Sequence, residues 1–271
     1  MRILFLGDVV GRAGRDAITE RLPRLIAEYG FDFVIVNGEN ASHGRGLTEG
    51  HFNDLRAAGA DVVTLGDHAW DQRDTLGYIA REPHLIRPIN FAPGAPGRGA
   101  NLIEGRNGHR VLVVNALGRV FLPPIDDPFR AVEAAIAACP LGEQADAVIV
   151  DFHTEATSEI QAMGFFLDGR ASLVVGTHTH IPTADHRILK GGTALMADAG
   201  MCGDFDSIIG VDVDEPLSRF LTGISNGRFV PSEGPATLCG VAIETDAKTG
   251  LTIKVSPVRI GGTLSQSLPF V

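Results

Sequence analysis

The amino-acid sequence predicts an α/β fold, because short apolar runs alternate with helix-like segments along the first two thirds of the chain. Residues 3–6, 33–36 and 62–65 have the length and apolar character of buried strands. Each of these runs leads into a glycine followed by an acidic residue. Since strands that alternate with helices form parallel or mixed sheets, we expect a largely parallel or mixed sheet at the centre of the fold.

The same pattern continues towards the carboxyl terminus. Three more strands are expected from apolar runs at residues 111–114, 147–152 and 173–175. Helices are expected at residues 15–29, 129–138 and 159–167, and from near Thr48 and Asp71. Pro23 predicts a kink or a late start in the first of these helices.

Two regions are harder to assign. Residues 83–108 are rich in proline, glycine and asparagine, and we interpret them as loop. Strands are expected at residues 194–197, 239–245 and 251–258, without clear helices between them, which favours an antiparallel second sheet. No linker or internal repeat divides the sequence, so a single domain over residues 1–271 is expected.

Composition and charge limit the function. Of the 271 residues 44% are hydrophobic, enough for a sizeable core, and the formal net charge is −10. A nucleic-acid or anionic membrane surface needs a basic field, so neither a stable nucleic-acid surface nor membrane binding is expected. A phosphorylated substrate stays compatible with this charge if bound cations supply positive charge locally. The glycine-rich loops permit self-association as a homo-oligomer.

The cysteines and the amino terminus indicate a cytoplasmic protein. Cys139, Cys202 and Cys239 are widely separated and form no CxxC pair, so neither a disulfide framework nor a thiolate metal site is expected. The first eight residues hold too few apolar side chains for a signal peptide, and no run has membrane-spanning length.

Metal-competent side chains follow the predicted strands. In parallel sheets, ligands bind at the carboxyl ends of the strands, so these side chains are expected on one rim. We expect the chain to turn after Gly176, bringing two neighbouring imidazoles to the same place. The side chains in question are Asp8, Glu39, Asp67, His153, His178 and His180.

Three carboxylates, three imidazoles and the Asn40 amide form a mixed oxygen and nitrogen donor set. Such a set suits Mn, Fe, Zn or Co better than Ca or Mg alone. It exceeds what one ion with an open position needs, so two ions sharing a bridging carboxylate are expected. Two-metal sites suit in-line displacement at phosphorus. His68, next to Asp67, is assigned as the general acid, since an imidazole donates protons near neutrality. His43 and Arg45 are candidate substrate contacts, a solvated loop being the equal alternative.

The ordered blocks Gly7-Asp8, Gly38-Glu39-Asn40, Gly66-Asp67-His68, His153 and Gly176-x-His178-x-His180 resemble those of the calcineurin-like metallophosphoesterases. Two further features are similar to the YmdB-type branch of bacterial cyclic-nucleotide phosphodiesterases: the run that ends at Asp71, and the block from Asp198 to Gly203 leading to Asp206-Ser207. The resemblance spans nearly the whole chain.

This resemblance implies a four-layer α/β/β/α sandwich of two mixed sheets with a dinuclear centre, often iron or manganese. It places Asp8, Glu39, Asn40 and His180 on the first ion, and Glu39, Asp67, His153 and His178 on the second. It also implies hydrolysis of phosphodiesters, with 2′,3′-cyclic nucleotides as the specific expectation. A metal-bridging hydroxide would attack phosphorus while His68 protonates the leaving group.

The chain departs from the wider superfamily at two positions. The usual Asp-x-His after the first strand is absent, because Val9 and Val10 follow Asp8, and Asn40 is the expected substitute ligand. Asp67 stands where asparagine is usual. A carboxylate can still bind a metal there, but it adds a negative charge and removes an amide donor.

Several alternatives use the same residues. A phosphomonoesterase or an RNA-directed nuclease could work with the same centre, and a non-catalytic metal- or nucleotide-binding regulator would keep the site without turnover. An amidohydrolase barrel is also rich in histidine ligands. That fold, however, places its His-x-His pair at the first strand, whereas this chain has Asp8 there.

Overall fold

The computed structural model describes residues 1–270, which form thirteen strands and six helices. The strands are β1 (Arg2–Leu6), β2 (Phe33–Asn37), β3 (Val62–Thr64), β4 (Leu85–Ile86), β5 (Ala100–Glu104), β6 (Arg110–Leu117), β7 (Ala147–His153), β8 (Leu173–Thr177), β9 (Arg187–Ile188), β10 (Ala194–Met196), β11 (Gly203–Asp204), β12 (Ala236–Thr245) and β13 (Thr252–Gly261). The helices are α1 (Gly11–Tyr29), α2 (Glu49–Ala57), α3 (Thr75–Tyr78), α4 (Pro128–Ala138), α5 (Thr157–Phe166) and α6 (Asp214–Thr222).

The strands form two mixed sheets. In the first sheet β1, β2, β3 and β4 run parallel, and β12 pairs antiparallel with β1. β12 also pairs with β11 and, on its other side, with β13. The second sheet has the order β5-β6-β7-β8-β10-β9, with a parallel centre from β6 to β10 and an antiparallel strand at each edge.

Alternation along the central strands builds the layers. Ile3 and Phe5 of β1 pack into an apolar core between the two sheets, whereas Leu4 and Leu6 pack under the helices of the first sheet. In β7, Ile149 faces the core between the sheets and its neighbours face α4 and α5. Strands buried on both faces are apolar throughout, which explains the runs in the sequence. The predicted α/β/β/α sandwich of two mixed sheets is thus confirmed.

The carboxyl-terminal strands differ from the prediction. They do not form an antiparallel second sheet of their own: β10 pairs parallel with β8 in the second sheet, whereas β12 and β13 extend the first sheet. The prediction was wrong because strand periodicity carries no information about which sheet receives a strand. The region 83–108 is not all loop either, because it contributes β4 and β5, whose pattern is masked by flanking proline and glycine.

Three helices also differ. The first begins at Gly11, before the predicted Arg15, and Pro23 lies inside it without having delayed its start. The first turn of α1 can form here because residue 14 is a glycine. A larger side chain at that position would collide with the Cys202 carbonyl oxygen. The helix expected near Asp71 is only the short α3, because the chain first turns around the rim of the sheet. The helix α6 was not predicted. The signal was available in the sequence, because Leu217, Phe220 and Leu221 have the i, i+3, i+4 spacing of an apolar helix face, although these side chains are exposed in the structure.

The described residues include no helix that is both long enough and apolar enough to span a membrane. All three cysteines are buried and free.

Candidate metal centre

The predicted metal ligands lie just beyond, or at the end of, five parallel strands drawn from both sheets. Asp8 follows β1, Glu39 and Asn40 follow β2, Asp67 follows β3, His153 ends β7, and His178 and His180 follow β8. The site therefore forms where the carboxyl ends of the two sheets meet, as expected for ligand sites in such sheets.

Four of these side chains surround one point. His153 Nε2 lies 3.2 Å from Glu39 Oε1, 3.1 Å from Asp67 Oδ1 and 3.0 Å from His178 Nδ1. One ligand atom from each of the four residues lies within 4.8 Å of all the others, so this cluster can hold a metal ion. Its donors are two imidazoles and two carboxylates, which transition metals favour.

Asp8, Asn40 and His180 form the other half of the site. His180 Nδ1 donates to the Ile209 carbonyl oxygen at 2.7 Å, which leaves a lone pair on Nε2 in the neutral ring. That nitrogen lies 3.2 Å from Asn40 Oδ1, an orientation fixed because the Asn40 amide nitrogen donates to the Gly44 carbonyl. Two acceptors therefore face each other, and burial lowers the pKa of His180, which favours its neutral form.

The Asp8 carboxylate supplies the clearest sign that the site is suited to a cation. Its Oδ2 accepts a bond from the His178 backbone N–H at 3.3 Å, but its buried Oδ1 has no hydrogen-bond partner. The nearest imidazole nitrogen, His153 Nδ1, is 3.8 Å away from it. A buried acceptor without a donor is costly, and a bound cation would satisfy it. The residues present therefore fit a metal centre.

Charge crowding shifts the ionisation of the cluster. Burial raises the pKa of Asp8 to about 7, against the opposing charge of His153. Burial would also raise the pKa of Asp67, but hydrogen bonds from His153 and His178 outweigh it and lower that pKa. Burial disfavours the charged form of His153, yet Glu39 and Asp67 raise its pKa well above the usual value. The surrounding carboxylates thus favour positive charge at His153.

A buried relay, which we did not predict, orients His153. The Thr177 hydroxyl donates its proton to Asp151 Oδ1 at 2.7 Å. Thr177 Oγ1 is therefore free to accept a hydrogen bond from His153 Nδ1 at 2.8 Å. Asp151 also accepts a bond from the Asn37 amide at 3.1 Å. Because Nδ1 is held as a donor, His153 Nε2 points at the cluster. Thr177 thus does for His153 what a buried hydrogen-bond partner does for a metal-binding histidine. A single acidic residue within an otherwise apolar strand was the available signal.

The predicted turn after Gly176 is confirmed. The backbone φ is 105° at His178 and 69° at His180, a strained region for residues with side chains. Asp198, to which we had assigned no role, holds this turn. Its carboxylate accepts bonds from the Thr179 N–H at 3.0 Å and the Thr179 hydroxyl at 2.8 Å. Gly176 is required below the turn, because an added Cβ would lie 1.8 Å from the Ala197 carbonyl oxygen.

His68 lies beside the cluster, and its side chain is one quarter exposed. Its Nδ1 lies 3.0 Å from Asp71 Oδ2, and its backbone N–H donates to Glu39 Oε2 at 3.3 Å. The Asp71 carboxylate therefore fixes the ring. A second carboxylate that the sequence did not single out is Glu155, whose Oε2 is 3.2 Å from His178 Nε2.

A cavity of about 820 Å³ opens over the cluster. Glu39, His68 and His178 line its inner end, and the candidate substrate contacts His43 and Arg45 line its side. The loop that carries these two residues thus faces the cavity. Its volume falls in the range of sites that hold a whole small molecule.

The fold and the cluster together define the class of protein: a two-sheet α/β sandwich with a histidine–carboxylate metal-binding cluster at its strand ends. Residues 4–258 match the family model described as YmdB-like protein, and the chain belongs to that family.

Relatives and solved structures agree with this membership. The chain is 46% identical over 260 residues to a 2′,3′-cyclic-nucleotide 2′-phosphodiesterase of Bacillus subtilis, covering 96% of this chain and 97% of that protein. A crystal structure of a hypothetical protein from Thermus thermophilus superposes with a TM-score of 0.90 at 41% identity, covering 97% of this chain and 100% of the other. A crystal structure from Mycoplasma pneumoniae that is described as a novel phosphatase superposes with a TM-score of 0.88 at 37% identity, covering 96% of this chain and 93% of the other.

Gly66 gives a steric test of the cluster. A Cβ at this position would lie 2.1 Å from Glu39 Oε2 and 2.5 Å from His153 Nε2. Gly66→Ala should therefore displace both side chains and weaken metal binding by about 10–100-fold, the usual cost of disturbing ligand support. Gly50→Ala is the matched control, because an added Cβ there has no neighbour within 4 Å. Wild-type metal affinity in Gly66→Ala, measured by equilibrium dialysis, would contradict the assignment.

The pKa shifts predict how the metal-free protein responds to pH. Because the pKa of His153 is raised, the folded protein keeps a proton that the unfolded chain releases above about pH 6.5. The folded state then binds more protons, so its stability falls as pH rises through the folded pKa, by about 1.4 kcal/mol per pH unit for one such group. Urea denaturation of the chelator-treated protein should show lower stability at pH 9 than at pH 7. The metal-loaded protein should lose less stability between pH 7 and pH 9. Higher stability of the metal-free protein at pH 9 than at pH 7 would refute the assigned pKa shift of His153.

Proposed function

We propose that this chain is a metal-dependent phosphodiesterase that hydrolyses 2′,3′-cyclic nucleotides at a dinuclear centre. Its metal ligands would be Asp8, Glu39, Asn40, Asp67, His153, His178 and His180. The proposed ligands divide into two donor groups, and Glu39 would belong to both and bridge the two ions. The name of the Bacillus subtilis relative supports the substrate class.

The observation that carries the proposal is the set of unsatisfied acceptors below the cavity. Asp8 Oδ1 has no partner, and His180 Nε2 faces Asn40 Oδ1 at 3.2 Å. These atoms lie in a different group from the four-residue cluster around His153. One ion at that cluster would leave them unsatisfied, so the donor set supports two ions.

Charge explains how an acidic protein can accept an anionic substrate here. The carboxylates of Asp8, Glu39 and Asp67 carry three negative charges when ionised, and two divalent ions carry four positive charges. The ions would then offset the local carboxylate charge, so the centre would no longer repel a phosphodiester, although the whole chain has a formal net charge of −10.

The donor chemistry supports iron or manganese, with zinc or cobalt as alternatives, since imidazoles and carboxylates are present without thiolates. When bound, the ions would lower the pKa of water and neutralise charge on the phosphate. His68, which lines the cavity, would hold a proton at Nε2, 3.9 Å from Asp67 Oδ2, while Asp71 Oδ2 lies 3.0 Å from the opposite ring nitrogen. That proton would pass to the ribose oxygen that leaves phosphorus. His43 and Arg45 on the cavity side would contact the substrate.

We also infer a single domain over residues 1–271, because both sheets contribute to one apolar core between them. A cytoplasmic location is proposed from the three free, buried thiols, which suit a reducing compartment. Homo-oligomer formation stays a prediction.

Glu39→Gln tests the centre. The substitution keeps the size of the side chain but removes the shared carboxylate charge, so bound metal should fall and hydrolysis of 2′,3′-cyclic nucleotides should drop by roughly 100-fold or more, as for lost metal ligand support. Glu143→Gln at an exposed position is the control and should match the wild type. Metal analysis and turnover are measured on the same samples. Full metal content with full activity in Glu39→Gln would rule out the proposed centre.

A substrate panel on the wild-type protein separates the alternatives. Faster turnover of bis(4-nitrophenyl) phosphate than of 4-nitrophenyl phosphate supports a diesterase over a monoesterase. Cyclic nucleotides compared with RNA test nuclease action. Metal and nucleotide binding without any turnover would identify a regulator instead.

His68→Gln tests the general acid through the leaving group. A ribose oxygen is a poor leaving group and needs the proton, so kcat on a 2′,3′-cyclic nucleotide should fall by about 10²–10⁴-fold. Nitrophenolate leaves without protonation, so kcat on bis(4-nitrophenyl) phosphate should fall far less. Bound metal should be unchanged. Equal losses on both substrates would show that His68 is not the proton donor.

A further inference from the structure

The cavity extends well beyond the proposed metal ligands. Its outer wall comes from the segment that includes α6 and residues 208–231, which the cluster does not use. A phosphate group alone would leave most of the 820 Å³ empty. The inference below rests on the proposed function, in which a nucleotide places its phosphate at the inner end.

The outer wall presents apolar and aromatic side chains to the cavity. Ile209 is 51% exposed, Phe220 84% and Phe229 39%, although all three line the cavity. Large apolar side chains left in water at the mouth of a polar site indicate a surface that a ligand covers. Aromatic faces are suited to stacking on planar rings, and nucleobases stack on them with little dependence on sequence.

Polar contacts around Arg219 hold Phe229, one of the aromatic residues of the outer wall, in place. The Arg219 guanidinium lies 4.3 Å from the centre of the Phe229 ring, and its Nε lies 2.6 Å from Glu215 Oε1. Arg219 also donates to the Gly227 carbonyl oxygen at 3.0 Å, and Glu215 accepts from the Asn226 N–H at 3.0 Å. Because Glu215 neutralises Arg219, the arginine serves to hold Phe229 rather than to attract an anion.

The wall is joined directly to the metal site. The Ile209 carbonyl oxygen accepts the hydrogen bond from His180 Nδ1 at 2.7 Å. Ile209 has a φ of 48°, a left-handed conformation that is costly for a β-branched residue and marks a built turn. One residue therefore orients a proposed metal ligand through its backbone and lines the outer cavity with its side chain.

We propose that Ile209, Phe220 and Phe229 form the nucleobase subsite of this cavity, on which the base of a cyclic nucleotide lies while its phosphate reaches the metal centre. The three side chains carry no hydrogen-bonding groups. The subsite therefore accepts purines and pyrimidines alike and favours the larger ring by contact area. It distinguishes a nucleotide from a base-free cyclic phosphate.

The test compares two substrates on matched variants. Adenosine 2′,3′-cyclic phosphate carries a base, and methyl riboside 2′,3′-cyclic phosphate lacks one. Phe220→Ala should lower the ratio of kcat/KM between the two by about tenfold, mainly through a higher KM for the adenosine substrate, as expected for one lost stacking contact. Phe220→Tyr keeps a stacking ring and should restore the ratio. Leu221→Ala is the control, because Leu221 is 76% exposed on the same helix but does not line the cavity.

The outcomes separate this inference from the proposed function. Hydrolysis of both substrates by the wild type, with a ratio unchanged in Phe220→Ala, would overturn the subsite and leave the phosphodiesterase intact. Hydrolysis of neither substrate would overturn both. Light scattering is run on every variant. If Phe220→Ala reduces the mass of the particle and changes turnover of both substrates equally, the wall is a contact between copies of the chain, and the subsite is wrong.

A binding measurement gives a readout independent of turnover. Adenosine 3′-monophosphate and methyl riboside 3′-phosphate are titrated calorimetrically into the metal-loaded protein. The wild type should bind the adenosine compound about tenfold more tightly, and Phe220→Ala should remove most of that difference. Equal affinities in the wild type would contradict a base-binding wall.

Discussion

The structure depends on a concentration of hydrogen-bond acceptors that the polypeptide cannot satisfy by itself. Carboxylate oxygens, imidazole lone pairs and an amide oxygen meet where two sheets end, with Asp8 Oδ1 buried and unpartnered. Because the dielectric constant is low in a buried region, acceptors without donors are costly there. A proton shared around His153 relieves part of this cost, and cations would relieve the rest. The backbone that brings the strand ends together therefore creates a cluster that can hold a metal ion.

Much of the surrounding sequence serves to hold these acceptors in place. Gly66 makes room for Glu39 and His153, and Gly176 lets its strand pass the Ala197 carbonyl. Asp198 pins the strained turn through Thr179, and Asp151 orients His153 through Thr177. Each contact limits the freedom of a side chain that a metal would otherwise have to order. The site is thus largely preorganised, which reduces the entropic cost of binding.

The sequence predicted the parts of this architecture that follow from local chemistry. Apolar runs followed by Gly-Asp or Gly-Glu predicted strands with ligands at their ends, because both signals lie close together in the chain. Asp151 and Asp198 were not recognised, because their roles come from contacts with β8 and its turn that no local pattern encodes.

The distribution of strands between sheets was missed for a similar reason. β12 pairs with β1 at the opposite end of the chain, so only the folded structure shows the pairing. The helix α6 was missed although Leu217, Phe220 and Leu221 have the i, i+3, i+4 spacing of an apolar helix face; only the folded structure shows that these side chains are exposed. Apolar spacing predicts a helix face but does not tell whether that face packs against a core or, as proposed for Phe220, against a ligand.

The most direct test of the account is anomalous diffraction from crystals grown with manganese or iron. Two anomalous peaks that share Glu39 are expected: one beside Asp8, Asn40 and His180, the other beside Asp67, His153 and His178. A single peak, or peaks remote from Glu39, would contradict the claim that these buried acceptors are arranged for a pair of cations.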